Sequence, residues 1–179
     1  MYYEAQDAYY NQNIDHIPPE HYEKLYSYRL NKVSKERVQR IFSKYIGSKK
    51  YHNFTKEVKP HQSAAVRYML ELKADTFMYI NRDTFEVTSE EDPKAIEFVH
   101  FFLKGQAFLY NQIRKMIGLI IQMFRGNLED GFMQNTFTDN YVNVCLAPGD
   151  GLLLEQVCYD KYNQLNDHKK SEIMLKFVA

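Results

Sequence analysis

The chain has 179 residues, 45% of them hydrophobic, so it is long enough to bury the core of one domain. It contains no apolar run of about 18 residues and no apolar stretch after a basic start, so we expect neither a membrane-spanning helix nor a secretory signal. Its two cysteines, Cys145 and Cys158, form no CxxC pair. We predict that both are small apolar fillers in a reducing compartment rather than metal ligands.

The formal net charge of zero conceals an uneven distribution along the chain. Residues 29–73, here called the basic block, contain twelve Lys or Arg against three acids, a net charge of +9. Residues 74–100 contain two Lys or Arg against seven acids, a net charge of −5. A charge of +9 is enough to hold several phosphates, but an ordinary solvated helix face can have the same composition. Charge alone leaves both interpretations open.

The first part of the chain has no regular pattern. Residues 1–30 show neither a helical nor a strand period, and Pro18 and Pro19 interrupt them. We therefore interpret residues 1–30 as a linker or an insertion, and residues 31–179 as one domain.

The domain is predicted to begin with an amphipathic helix over residues 35–46. Ser34 is a suitable N-cap, and Gly47 ends the pattern. The apolar residues of this helix recur at helical spacing, and they are Val38, Ile41, Phe42 and Tyr45.

Two segments then have the character of strands. Residues 64–74 alternate, which predicts a strand that buries the face formed by Val66, Tyr68, Leu70 and Leu72. Residues 97–104 are apolar on both faces, which predicts a central strand. The acidic stretch between them is interpreted as an exposed loop or a strand extension.

The strongest helix signal follows Gly105 and ends at Gly126. Its predicted buried face consists of Leu109, Ile113, Met116, Ile117, Ile120 and Phe124. We also predict a shorter helix over residues 128–135, and an apolar strand over Leu152–Tyr159 after a turn at Pro148–Gly151. The fold class predicted from these elements is α+β, a sheet with helices packed on one face.

Arg114 is the first candidate for chemistry. On a helical wheel it lies at the shoulder of the apolar face, where its charge would be partly buried. A partly buried guanidinium needs an anionic partner, although an Arg that extends its head into solvent would give the same pattern.

The segment Tyr51–Thr55 mixes aromatic and polar residues beside the basic block. Such a mixture suits a pocket that stacks a base and bonds its edge, and it equally suits a half-buried strand. His52 could act as a general base or as a hydrogen-bonded structural residue.

Several segments, taken in order, resemble the tRNA pseudouridine synthase A family, and most closely its eukaryotic branch. The matching segments are Tyr51–Thr55, Ser63–Tyr68, Gly105–Gly118 and Leu146–Glu155, followed by Tyr162-Asn163. The resemblance extends over about residues 29–163, and the third segment is the most specific. It implies the C-terminal half of the pseudouridine synthase fold, with a mixed, mainly antiparallel sheet and helices on one face.

The resemblance also implies an activity, the isomerisation of specific uridines in tRNA to pseudouridine. In the family a single Asp in an Arg-Thr-Asp-x-Gly motif starts the reaction, and an Arg on the long helix pairs with it. Here that Arg is Arg114. No Arg-Thr-Asp-x-Gly sequence occurs in the 179 residues, so we expect the catalytic Asp on a missing N-terminal half and predict that the chain alone is inactive.

The remaining roles follow from position in the family's motifs. The resemblance implies that His52 and Phe54 border the uridine pocket and that Leu153, with its neighbours, lines the floor of the cleft. Arg67 would meet a phosphate or stabilise the loop after Thr55. The residues expected to contact the RNA backbone are Lys49, Lys50, Lys56 and Lys115.

The expected partners are tRNA and the missing half, with self-association of the chain through the surface left uncovered. No cofactor, metal or membrane is implied. We expect a nuclear or cytoplasmic, non-secreted protein, and a mitochondrial address stays open. A non-catalytic relative that binds RNA or a protein partner is the alternative, and a globular domain unrelated to RNA is a third reading.

Overall fold

The computed structural model describes residues 27–159 and residue 162. Most of the predicted linker, residues 1–30, therefore lies outside the described residues. The chain divides into two compact units between Ala147 and Pro148. In the described part of the chain, no helix is long and apolar enough to cross a membrane.

The first helix, α1, spans Lys32–Ser43 and buries Val38, Ile41 and Phe42. The predicted N-cap was wrong, because Asn31 occupies that position with an extended backbone. The Asn31 side chain accepts a hydrogen bond of 2.8 Å from the Ser34 amide, so the residue expected to cap the helix is instead the one that is capped.

Four strands form one antiparallel sheet in the described residues. They are β1 (Gly47–Lys50), β2 (Val66–Asn81), β3 (Val87–Thr88) and β4 (Ala95–Gly105). β2 is the central strand, with β1 and β3 paired along one edge and β4 along the other. The antiparallel α+β architecture predicted from the sequence is confirmed.

The prediction that residues 97–104 form a central strand was wrong for the described sheet, in which β4 lies at an edge and pairs only with β2. Its two apolar faces have different causes. Val99, Phe101 and Leu103 pack against the core, whereas Phe98, on the opposite face, is exposed. An apolar sequence on both faces therefore did not require flanking strands.

The buried face of β2 was predicted correctly only at Leu72. Met69, Leu72 and Ala74 are buried, whereas Val66 and Tyr68 are 44% and 41% exposed. The pairing of β2 with β4 shifts register between Met69 and Glu71 and again between Lys73 and Thr76. Each shift inserts an unpaired residue, so the inward face cannot follow a simple period of two.

Two α-helices follow the sheet, α2 over Gln112–Arg125 and α3 over Phe132–Asn135. Gly126 is the C-cap of α2, as predicted. On α2, Met116 and Ile120 are buried as predicted, Leu119 and Met123 are buried without having been predicted, and Ile113 is only half-buried. All three described α-helices contribute to one core against the inward face of the sheet, as the sequence predicted.

Aromatic rings hold the middle of this core together. Tyr45, Tyr51 and Phe54 have no exposed surface and contact one another and Phe137. The Tyr45 hydroxyl donates to the Met116 carbonyl at 3.0 Å, and the Tyr51 hydroxyl donates to the Tyr45 carbonyl at 2.9 Å. These bonds attach the short 3-10 helix His52–Phe54 to α1 and α2.

The segment after Pro148 belongs to the second compact unit. The predicted strand at Leu152–Tyr159 is not present among the described residues, where these residues have no regular structure. A strand needs partners for its backbone amides and carbonyls, and no described strand pairs with this segment. Its β-like composition is therefore not sufficient by itself to form a strand.

Candidate functional site

Arg114 lies in the first turn of α2 and is half-buried, as its helical position predicted. Its Nε donates to the Ala147 carbonyl oxygen at 2.8 Å, and Nη1 lies 3.5 Å from Asn111 Oδ1. The Ala147 amide in turn donates to the Arg114 carbonyl at 3.2 Å. Residue 147 is thus joined to Arg114 through both backbone and side chain, which fixes the direction of the guanidinium.

A glycine explains how this segment approaches the helix so closely. A Cβ added at Gly118 would lie 2.0 Å from the Cys145 carbonyl oxygen. Only glycine leaves room for the backbone of residues 145–147 at this point of α2. The sequence analysis did not single out Gly118, although a glycine inside an apolar helix is a recognised sign of close packing.

The loop before α2 is held by side chains as well. Asn111 adopts a left-handed backbone with a φ of 60°. The buried Gln112 side chain accepts a hydrogen bond of 2.8 Å from the Leu109 amide. From the neighbouring segment, the Thr55 hydroxyl donates to the Tyr110 carbonyl at 2.9 Å. The start of α2 is therefore a rigid platform for Arg114.

The electrostatics of Arg114 are incomplete. Its hydrogen-bond partners in the described residues are a carbonyl and an amide side chain, both uncharged, and no carboxylate pairs with it there. The anionic partner that its burial predicted is not found within this part of the chain. The geometry orients the guanidinium, and no described carboxylate matches its charge.

Asn53 organises the neighbouring segment, and the sequence analysis had not assigned it a role. Its Nδ2 donates to the carbonyls of Thr136 and Asn140 at 3.0 and 2.9 Å, while Oδ1 accepts from the Val142 amide at 3.0 Å. These bonds attach residues 136–142 to the 3-10 helix. A buried amide with all these bonds is a structural residue.

His52 and Phe54 lie on either side of Asn53 in the same 3-10 helix. His52 is largely buried, with Nε2 3.5 Å from the Asn140 carbonyl oxygen. Phe54 has no exposed surface, so it can affect a bound base only through the residues that it supports. The substrate-binding role of both residues stays a prediction.

Two further residues, Arg67 and Leu153, were predicted to belong to the site. Arg67, on β2, donates from Nη1 to its neighbour's carbonyl, that of Val66, at 2.8 Å. Leu153 lies in the second compact unit and is 86% exposed. The substrate-binding roles of both residues stay predictions.

The four predicted RNA-binding lysines have different surroundings. Lys50 forms an ion pair of 2.6 Å with Asp139, and the Lys49 ammonium lies 5.4 Å from the centre of the Phe137 ring. Lys56 is exposed. Lys115, half-buried on α2, donates to the Asn53 carbonyl at 3.1 Å. Burial first, and the nearby charge of Lys56 second, lower the pKa of Lys115.

Much of the basic block serves the fold. Arg37 and Arg40 each donate from Nε to Asp130 at 2.9 Å, and Lys44 donates to the Asp130 carbonyl. Desolvation acts to raise the pKa of Asp130, but the hydrogen bonds from the two arginines outweigh it, so that this pKa is lowered. These three cations fix the loop between α2 and α3 to α1.

A second group of cations joins α1 and the preceding segment to the sheet. Arg29 donates to the Ala95 carbonyl at 2.8 Å, and Lys35 pairs with Glu97 at 2.6 Å. The bond to Glu97, followed by that to Tyr79, raises the pKa of Lys35 far above its usual range. The charge of +9 therefore overstates what the block can offer to phosphates.

Both cysteines were predicted to be small apolar fillers, and this was wrong, because both are exposed free cysteines. At Cys145 it is the carbonyl oxygen that packs against α2, at Gly118.

Comparison with known proteins identifies the class. A family model described as tRNA pseudouridine synthase matches residues 41–160. The Pseudouridylate synthase 1 homologs of Mus musculus and Homo sapiens are 36% and 35% identical to the chain over 141 residues, which is 77% of its length. The tRNA pseudouridine synthase 1 of Schizosaccharomyces pombe is 31% identical over 150 residues, or 83% of the chain. The chain belongs to the tRNA pseudouridine synthase family.

The match includes only part of each relative's own length. The same alignments include 30%, 29% and 25% of the mouse, human and yeast relatives. The chain thus spans less than a third of the length of these relatives. The matched segment contains Arg114 and the residues that hold it.

Proposed function

We propose that the chain is the C-terminal half of a tRNA pseudouridine synthase that isomerises specific uridines in tRNA. The observation that carries the proposal is Arg114. Its guanidinium is oriented by Ala147 and Asn111 at the start of α2, while its charge has no carboxylate partner among the described residues. A catalytic Asp supplied by the other half would complete this arrangement.

The proposed role of Arg114 follows from its chemistry. A guanidinium can grip a carboxylate through two parallel hydrogen bonds. Here Nε is occupied by Ala147, so the grip falls to the two terminal nitrogens. Such a pair would lower the pKa of the Asp, keep it ionised and fix its direction toward the uridine. The reaction then detaches uracil from its ribose, turns it and rejoins it through C5.

The sequence contains no Arg-Thr-Asp-x-Gly motif, and we propose that the chain alone cannot perform the reaction. In the longer enzyme, His52 would border the pocket for the flipped uridine and Phe54 would support it from the core. Leu153 would line the floor of the cleft, and Arg67 would meet a phosphate. Flipping the base costs a few kcal/mol, and least where the base is already unstacked.

The proposed partners are tRNA and the missing half. Among the predicted RNA contacts, Lys56 and Lys115 have no acidic side chain bonded to them in the described structure, which favours them over Lys50. The exposed face of β2, with Val66, Tyr68 and Leu70, is apolar surface that would favour self-association when the other half is absent. A nuclear or cytoplasmic location is proposed.

One alternative has a specific observation in its favour. Because the catalytic motif is absent from the sequence, the chain could instead be a relative that binds RNA or a protein partner without catalysis. Binding of tRNA does not separate the two functions, since both predict it.

The two functions are separated by an activity assay on uridine-labelled tRNA. The purified 179-residue chain should form no pseudouridine, whereas the longer protein that contains Arg-Thr-Asp-x-Gly should form it and should lose the activity in an Arg114→Ala variant. Pseudouridine formation by the chain alone would overturn the placement of the chemistry. Full activity of the Arg114→Ala enzyme would overturn the role of the arginine.

A further inference from the structure

Three cations lie at the start of α2 and in the segment bonded to it. Lys56, Arg114 and Lys115 come from two segments of the chain, and no described salt bridge involves any of them. The first turn of α2 contains no acidic residue. Since the amino end of a helix is its positive end, cations are disfavoured there and an anion is favoured.

Two hydrogen bonds attach the segment that precedes Lys56 to this helix end. The Lys115 ammonium donates to the Asn53 carbonyl at 3.1 Å, and the Thr55 hydroxyl donates to the Tyr110 carbonyl at 2.9 Å. Residues 53–55 are thereby attached to α2 and to the loop before it. Lys56 follows directly, and its charge reaches Lys115 strongly enough to lower the pKa of that residue.

The burial of Lys115 makes its position unusual for a surface lysine. Lys115 is half-buried, its hydrogen-bond acceptor is the neutral Asn53 carbonyl, and the charge of Lys56 acts against its own. Both the desolvation and the repulsion disfavour the charged form, and a bound anion would relieve both. Asn53, which supplies the acceptor, is itself held by three hydrogen bonds, so the position of Lys115 is preset.

We propose that Lys56 and Lys115 together hold a single phosphate of the RNA backbone beside Arg114. The inference rests on the proposed function, in which tRNA is the substrate and Arg114 meets the catalytic carboxylate. The phosphate would belong to the target nucleotide or its neighbour. The two lysines would then be positioning residues, since they fix the backbone of the nucleotide whose base enters the pocket.

One shared phosphate has a measurable signature. The logarithm of the affinity falls linearly with the logarithm of the salt concentration. The size of this slope is about 0.7 to 0.9 for each phosphate that the protein neutralises. Loss of either lysine should weaken the same contact, so the double variant should lower the slope by about one phosphate. Two lysines on separate phosphates would lower it by about two, and their effects on affinity would multiply.

The test is the affinity of the full chain for a fluorescent tRNA transcript, measured by anisotropy at several salt concentrations. The variants are Lys56→Gln, Lys115→Gln and the double variant, since glutamine retains a donor for the Asn53 carbonyl. Lys59→Gln is the matched control, because Lys59 is an exposed lysine in the same loop. Thermal unfolding followed by circular dichroism verifies that each variant is folded.

We expect about a five- to tenfold loss of affinity in each single variant and little further loss in the double variant, while Lys59→Gln changes affinity less than twofold. Independent effects of the two lysines, or effects no larger than that of Lys59→Gln, would overturn the shared phosphate and leave the role of Arg114 intact. Failure of the unaltered chain to bind tRNA would overturn both proposals.

Discussion

Two clusters of cations in the first compact unit differ in how their charge is balanced. Around Asp130, Arg37 and Arg40 each have a carboxylate oxygen at 2.9 Å. Around the start of α2, Arg114 and Lys115 have only neutral acceptors in the described structure. The first cluster is complete within the chain and holds α1 to the loop after α2. The second is oriented but incomplete, which is what a site awaiting an anionic partner requires.

Residue type therefore does not separate structural from functional cations. Both clusters contain arginine on an amphipathic helix, half-buried beside apolar residues. What separates them is the partner, which comes from residue 130 in one case and residue 147 in the other. Removing the charge should therefore affect stability at the first cluster and activity at the second.

The largest expected effect is at Arg114. In the proposed longer protein that includes the catalytic motif, Arg114→Ala should lower the rate of pseudouridine formation by about 100- to 1000-fold, because it leaves a carboxylate without its partner, a loss of about 3–4 kcal/mol. Arg114→Lys keeps the charge but not the planar fork, and should recover only a small part of the activity. Rates are measured by release of tritium from 5-labelled uridine in tRNA. An Arg114→Lys enzyme as fast as the unaltered one would show that charge alone is sufficient.

The next effect tests the support of Arg114. Gly118→Ala should destabilise the chain by about 3 kcal/mol, because the new methyl group would overlap the Cys145 carbonyl, a backbone atom that cannot move alone. Gly131→Ala is the matched control, since nothing lies within 4 Å of a Cβ there, and it should change stability by less than about 0.5 kcal/mol. Urea denaturation measures both. Equal stabilities for the two variants would refute the close approach of residues 145–147 to α2.

At the balanced cluster the effect should fall on stability. Asp130→Asn should lower the unfolding free energy by about 2 kcal/mol, because it leaves the partly buried Arg37 and the more exposed Arg40 without their counter-charge. Asp139→Asn, which removes the partner of Lys50 at an exposed site, should cost less than about 1 kcal/mol. The same denaturation experiment ranks the two. A larger loss of stability for Asp139→Asn would contradict the stabilising role assigned to Asp130 and its two arginines.

The smallest effect is a pH dependence. The pKa of Asp130 is lowered in the folded chain from its ordinary value of 3.8, so the folded state binds fewer protons than the unfolded state near that pH. The stabilisation is present above the ordinary value and is lost as the pH falls through the folded one. The unaltered chain should lose more stability than Asp130→Asn between about pH 5 and pH 3. Parallel losses would show that another group controls acid unfolding.

Much of the fold followed from the sequence because its signals are local. The long helix, its end at Gly126, the strand near residue 70 and the helices on one face all arise from hydrophobic period and from glycine. The half-buried position of Arg114 follows in the same way, since a helical wheel places it at the edge of the apolar face.

What the sequence did not reveal depends on partners distant along the chain. The inward face of β2 follows two register shifts that depend on its pairing with β4. The position of the N-cap at Asn31 depends on backbone angles, which the residue type alone does not predict. The sequence of the basic block also does not show that Asp130, some 90 positions from Arg40, neutralises part of the block's positive charge.

The candidate site shows the same limit. The wheel placed Arg114 near the core, but the Ala147 carbonyl that orients it depends on the passage of residues 145–147 over Gly118. Likewise, Asn53 lies within a segment that resembles the family, yet its three hydrogen bonds to residues 136–142 exist only in the folded chain.

The most direct test of the central claim is the sequence of the native transcript upstream of Met1. The proposal predicts an in-frame segment that encodes Arg-Thr-Asp-x-Gly, the carboxylate that the orientation of Arg114 requires. A transcript whose translation starts at Met1, with no such motif before it, would contradict the claim and assign the chain to the non-catalytic relatives of this family.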